Sequence, residues 1–294
     1  MTRRGDVPVL EVGGSHVTGA LVRPGDWTVH DARRLPVRPD ADAQRILDTF
    51  VAAGSHLNVG AGECWGVAMP DPFDYEMGIA LFDGVGKFDT LHGVDVGAVL
   101  SRRLPGAPAR VAFVNDADAF VLGEWVHGCA SGKRRCVGIT LGTGVGSGWL
   151  VDGAIATSGA GVPREGRAHH LVIDGAPLEQ TFSSRALRAA YALATGDRET
   201  DVLEIADRAR AGDEAAVDLL RTATRKLGAA LAPAIREFGA EIVVVGGSMT
   251  GSWDLLGPWF EQGLDWPTAP PVLLSQRVDT AALIGAAALV VGVC

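Results

Sequence analysis

Two stretches of this chain carry the same device: strand-forming residues, a glycine-rich turn holding a hydroxyl residue, and a second strand-forming run. The first is VLEVGGSHVTGALV and the second is VGITLGTGVGSGWLVDG. The first copy reads as a hairpin with strands at 7–12 and 16–22. A third glycine turn, Gly246-Gly247, follows the apolar strand at 242–245. Gly13 and Gly142 are about 130 residues apart, a domain-sized interval. The pattern therefore implies one architecture used twice rather than a tandem repeat.

A glycine turn brings backbone N–H groups close to a ligand because no Cβ stands in the way. Several such N–H groups aimed into one concavity bind an anion such as phosphate. Ser15 and Thr143 can add hydroxyl donors, and Glu11 beside the first turn can hold magnesium through water. A Gly-Gly pair also closes an ordinary hairpin. Glycines at 142, 144, 146 and 148 exceed what a hairpin needs. Their alternate spacing, with a strand rather than a helix following, is not the dinucleotide fingerprint, and no Gly-Lys-Ser/Thr closes a Walker A loop.

Between these units the hydrophobic spacing predicts helices over 41–53, 94–104, 117–127, 185–195, 199–211, 213–238 and 279–292. Pro233 is expected to kink the longest. A buried strand is expected at 64–70, a strand ending on two polar residues at 109–116, a loop over 71–93 and irregular chain over 154–184. Of the 294 residues 47% are hydrophobic and 21% charged, enough for a large core and against bulk disorder. The net charge of −9 opposes a nucleic-acid or anionic-membrane partner. The longest apolar run, AALIGAAALVVGVC, is too short to span a bilayer. MTRRGDVPVL lacks the apolar core of a signal peptide. Cys64, Cys129, Cys136 and Cys294 form no close metal-type pair and read as reduced thiols, so a cytoplasmic protein is expected.

Four motifs in one order, LEVGGSHVTGALV, VNDADAFVLGEW, LGTGVGSGWLVDG and VVVGGSMT, followed by TAALIGAAAL, resemble the ROK family (repressor, open reading frame, kinase) of the sugar kinase/actin-like ATPase superfamily. The resemblance implies two α/β domains, each on a ribonuclease H-like sheet, with nucleotide and sugar in the cleft between them. The first domain would cover 1–115, completed by the helix at 279–294, and the second 116–278. ATP phosphates would rest on Gly13, Gly14, Ser15, Gly142, Thr143 and Gly144, with Gly246 and Gly247 in the adenosine motif. Asp116 would be the general base and Asn115 a sugar ligand, although either residue also suits the cap of the following helix. His170 and Glu179 fall where the family contacts sugar, with His169 an adjacent competitor.

Several positions depart from the family pattern. The cysteines of its zinc segment are absent from IDGAPLEQTF, so no structural zinc is expected. Arg167 stands where a sugar-binding glutamate is usual, and Glu165 is a candidate substitute. The sugar loop reads Pro70-Asp71-Pro72. Asp71 is an extra carboxylate suited to an amino group or a solvated turn residue, and the turn is the preferred reading. Glu11 replaces the usual aspartate of the first phosphate motif.

The expectation is an ATP- and magnesium-dependent kinase acting on the 6-hydroxyl of glucose or a modified hexose such as an aminohexose, assembled as a homodimer. The alternative is a catalytically weak sugar-sensing protein. A DNA-binding repressor is disfavoured, because the first phosphate motif begins near residue 9 and the chain is acidic. Polyphosphate as donor would call on Lys133, Arg134 and Arg135, which read more simply as a solvated loop.

Overall fold

The computed structural model describes residues 5–293. The first four residues and Cys294 lie outside the described residues, and with them the start of the expected leader-free N-terminus and the fourth expected thiol.

The chain opens with β1 (Val7–Val12), β2 (His16–Val22) and β3 (Val29–Pro36), followed by α1 (Ala43–Gly54) and β4 (Trp65–Met69). Two short strands, β5 (Phe73–Asp74) and β6 (Ile79–Ala80), lie in the stretch read as loop. Then come α2 (Val96–Arg103), β7 (Val111–Asn115) and α3 (Asp116–His127). The sheet order is β3-β2-β1-β4-β7, with β1, β4 and β7 mutually parallel and β2 and β3 antiparallel. Leu10, Val12, Phe50, Trp65, Val67 and Phe88 meet in its core. Helix α1 starts where the Asp42 carboxylate accepts from Arg45 N–H, and it buries Ile46, Leu47 and Phe50.

The second half repeats this plan. It begins with β8 (Arg135–Leu141), β9 (Val145–Val151) and β10 (Ala154–Ile155). Short β11 (Val172–Ile173) and β12 (Ala176–Pro177) lead into α4 (Leu178–Thr181). Helices α5 (Ser184–Thr195), α6 (Val202–Arg210) and α7 (Glu214–Phe238) follow, then β13 (Ile242–Gly246), α8 (Trp253–Leu264), β14 (Val272–Leu274) and α9 (Ala281–Val293). The sheet order, β10-β9-β8-β13-β14, has the same pattern of directions as the first. Helix α7 is capped by Asp213, contains Pro233 and ends at Gly239, whose φ of 69° suits glycine. Of the stripe its spacing predicts, Leu220, Leu227, Leu231 and Ile235 are buried and Val217 is half-buried.

The chain divides into two compact units, one running to Gly128 and resuming at Asp279, the other from Cys129 to Val278. Helix α3, assigned from sequence to the second domain, therefore belongs to the first unit. The cause is its packing on α9, where Gly123 and Gly285 let the backbones touch: a Cβ at Gly123 would collide with the Ala281 carbonyl, and one at Gly285 with that of Ala119. A second correction concerns Cys64, which is disulfide-bonded, whereas Cys129 and Cys136 are thiols outside any disulfide. Pairing follows distance in space, which cysteine spacing along the chain does not reveal. Among the described residues, no helix is long and apolar enough to cross a membrane.

Candidate active site

In the first unit, β1 pairs with β4 at Glu11 and Ala68, and β4 with β7 at Met69 and Asn115. Glu11, Asp71 and Asp116 thus come from one edge of the sheet, at the carboxyl ends of three parallel strands, where open α/β sheets place ligands. Asn115 is the cap of α3: its Oδ1 accepts from the N–H groups of Ala117 and Asp118 at 3.0 and 3.2 Å. Its Nδ2 donates to Asp71 Oδ2 at 2.9 Å and to the Tyr75 hydroxyl at 3.0 Å. Asp71 is therefore not a solvated turn residue, as its sequence favoured, but a partly buried member of a polar cluster.

Asp116, next in sequence, is partly buried. Burial is the main force raising its carboxyl above the ordinary aspartate value, and the carboxylates of Asp71 and Glu11 add to it. The Lys87 ammonium and the Ala117 N–H act in the opposite direction. Burial, with Asp71 and Asp116, also holds the Tyr75 phenol well above its usual range, so it stays a hydrogen-bond donor. Tyr75 and Lys87 were missed by the sequence reading. Both fall in 71–93, which reads as loop: Tyr75 lies in the turn between β5 and β6, and Lys87 in the chain after β6.

The first glycine turn is closed on itself. Gly13 N–H donates to the His16 carbonyl at 2.8 Å, and Val37 N–H to that of Ser15 at 2.9 Å. The His16 imidazole folds over Gly13, where a Cβ would come within 2.8 Å of the ring. Arg34 donates to His16 Nδ1 at 3.1 Å, so the ring proton is on Nε2, 3.5 Å from the Glu11 carboxylate. Gly14 is partly covered and Ser15 exposed.

In the second unit, Gly142 N–H donates to the Gly144 carbonyl at 3.0 Å, leaving Thr143 exposed at the tip of the turn. The Gly142 carbonyl accepts from Ser184 N–H and Oγ at 3.0 and 2.7 Å. Gly247, at φ 90°, lies against the backbone of Leu141, and Ser248 Oγ would be 3.3 Å from a Cβ on Gly142. The turns at 142–144 and 246–247 are thus neighbours, each at the end of one of two parallel strands. Glu179 accepts from Val145 N–H at 3.0 Å, and a Cβ at Gly144 would collide with its carboxylate. The structure accordingly puts Glu179 on the glycine turn.

Ser147 pins the segment carrying Arg167: its hydroxyl donates to the Gly166 carbonyl at 2.7 Å and accepts from Ala168 N–H at 2.8 Å. Arg167 is buried, His170 is exposed and His169 is partly covered, with the two imidazoles 4.3 Å apart. Glu165, the candidate substitute for the missing glutamate, is exposed and pairs with Arg164 at 3.3 Å. Two of the three basic residues are engaged elsewhere: Arg134 pairs with Asp152, while Arg135 bonds the Phe238 carbonyl and stacks on its ring.

The ROK family matches residues 9–293. The glucokinase of Thermotoga maritima is 30% identical over 278 residues, covering 84% of each chain. Among solved structures, a ROK family glucokinase from Streptomyces griseus in complex with glucose and AMPPNP superposes with a TM-score of 0.76 at 26% identity, over 97% of this chain and 99% of that one. A ROK family transcriptional regulator, a homologue of the E. coli MLC protein, superposes with a TM-score of 0.75 at 22% identity, over 97% of this chain and 77% of that one. Two sheets of one topology, glycine turns at equivalent strand junctions and these matches lead to one assignment: the chain belongs to the ROK family and has its actin-like ATPase fold.

Proposed function

We propose that the protein is an ATP-dependent hexose kinase that transfers the γ-phosphoryl group to the 6-hydroxyl of glucose or a modified hexose such as an aminohexose. The observation that carries this reading is Asp116: a carboxylate at a strand end, with raised proton affinity, beside a second carboxylate. Phosphoryl transfer needs little covalent help from the protein beyond positioning, charge neutralisation and a base for the acceptor hydroxyl. Asp116 accepts the hydroxyl proton as the oxygen attacks, and its raised affinity suits a base of that kind. Thr143 and the backbone around Gly142 and Gly144 hold donor phosphate, and Gly246-Gly247 borders the nucleoside. His170, with Arg167, contacts the sugar, while Glu179 braces the phosphate turn at Val145.

Among the described residues no three His, Cys, Asp or Glu side chains gather to hold a metal ion. Glu11 would suit magnesium, which keeps several waters and takes one or two carboxylates plus phosphate oxygens. Magnesium held there supplies charge neutralisation on the phosphates. The T. maritima glucokinase and the AMPPNP-bound S. griseus glucokinase support the donor and the acceptor class.

A second reading, a sugar-sensing protein with weak catalysis, is favoured by the substitution at Arg167 and by the regulator that shares the fold. The test is ATP consumption with magnesium across hexoses and aminohexoses, with the product identified by phosphorus NMR. A 6-phosphate ester supports the kinase. Sugar binding without ATP consumption supports the sensor.

A further inference from the structure

Asn115 has no hydrogen-bonding capacity left over. A primary amide offers two donors and two acceptor lone pairs. In Asn115, which is 3% exposed, both lone pairs serve α3 and both donors serve Asp71 and Tyr75. Tyr75 completes the ring, its hydroxyl lying 2.7 Å from Asp71 Oδ1 and 3.1 Å from the Met69 carbonyl. One phenol proton serves one acceptor at a time, and the shorter contact, to a carboxylate, is the stronger. Asp71, Tyr75 and Asn115 therefore form a closed ring that spans the ends of β4 and β7.

This ring determines where α3 begins, and Asp116 is the first residue of α3. We propose that Asp71 and Tyr75 are positioning residues for the reaction, clamping Asn115 so that Asp116 holds its direction and its charged surroundings. This rests on the proposed kinase reading. Asp116 faces charge from three places: Asp71 beyond β4, Glu11 on β1 and Lys87 in the chain after β6. Asp71 is the one among these that the ring fixes in place. Its negative charge makes Asp116 the better proton acceptor, offsetting the pull of Lys87.

Two substitutions separate the ring's two effects. Asp71→Asn removes the charge while a rotated amide can accept from Asn115 and donate to the Tyr75 oxygen, so the ring survives. Tyr75→Phe keeps the charge and removes the hydroxyl that bridges Asp71 and Asn115. The experiment measures kcat, KM and the pH dependence of kcat with magnesium-ATP and the turned-over sugar, with melting temperatures as the folding control. Asp71→Asn is expected to lower kcat about tenfold, change KM little and move the acidic limb to lower pH, since a weaker base loses its proton earlier. Tyr75→Phe is expected to lower kcat several-fold and leave the limb in place. Variants that fold, raise KM alone and keep the wild-type pH profile would overturn the proposal and make these residues acceptor contacts. Variants that merely melt earlier with kcat intact would overturn it as a structural role only. A wild-type protein that turns over no sugar would overturn the kinase reading, and this proposal with it; an active wild type with unaltered variants would overturn this proposal alone.

Discussion

Asp116 carries opposite demands. As a base it must shed its proton near neutral pH, yet its burial favours the protonated acid. Replacing it with asparagine should lower kcat by a factor of about 10²–10⁴, the usual contribution of a positioned base. The same change should stabilise the fold at neutral pH. A carboxyl whose folded-state affinity is raised gives its full stability below the unfolded value of 3.8 and loses it as pH rises through the higher folded value. Asp116→Asn should therefore melt above the wild type at neutral pH, with the gap closing as pH falls toward 3.8. An equal melting difference at every pH would contradict this account. A second prediction concerns the thiols. Burial, aided by Glu241, pushes the Cys136 thiol up to about 12, while Cys129 is partly exposed. Alkylation near pH 8 should label Cys129 and spare Cys136, because the thiolate is the reactive form. Asp116 and Asn115 were legible in the sequence because VND ends a strand and opens a helix. Tyr75 was not, because its partners Asp71 and Asn115 are 4 and 40 residues away.

At the scale of elements, glycine has two uses that look alike in sequence. At 142–144 it shapes a turn. In α3 and α9 it removes a side chain where helix backbones touch, through Gly123 and Gly285. The same device joins α7 to α8, where a Cβ on Gly228 would collide with the Phe260 carbonyl and one on Gly263 with that of Arg225. Gly123→Ala should cost about 1–3 kcal/mol, the usual range for overpacking, seen as a lower melting temperature. Because α3 begins at Asp116, kcat should fall as well. An alanine variant as stable as the wild type would show that the helices can part without cost. β3 and α8 escaped the sequence reading for physical reasons. β3 is an edge strand whose HDARR centre is largely exposed, so no apolar alternation marks it. In α8, Pro258 and two glycines interrupt an otherwise helical run. Strands buried on both faces, such as β4 and β13, were read correctly because apolar runs betray them.

At the scale of the molecule, the duplicated strand–turn–strand pattern was the most informative feature of the sequence, and the two sheets repeat one order of strands. The domain boundary was less legible. The sequence shows a strand handing over to a helix at Asn115, and the family resemblance returns the last helix to the first domain, but neither shows that this helix keeps α3 in the first unit. The units differ in what they contribute. The first holds the carboxylate edge of Glu11, Asp71 and Asp116, and the second holds the neighbouring turns at 142–144 and 246–247 with Glu179 upon them. Since Glu179 occupies the Val145 N–H in this structure, Glu179→Gln should weaken that contact and change the KM for ATP more than kcat, measured by initial rates at saturating sugar. The most direct test of the account is sugar-dependent ADP formation by the wild type and by Asp116→Asn under identical conditions. Turnover is expected with at least one hexose or aminohexose, reduced at least about a hundredfold in the variant. Equal rates in the two proteins would remove Asp116 from the chemistry and contradict the account.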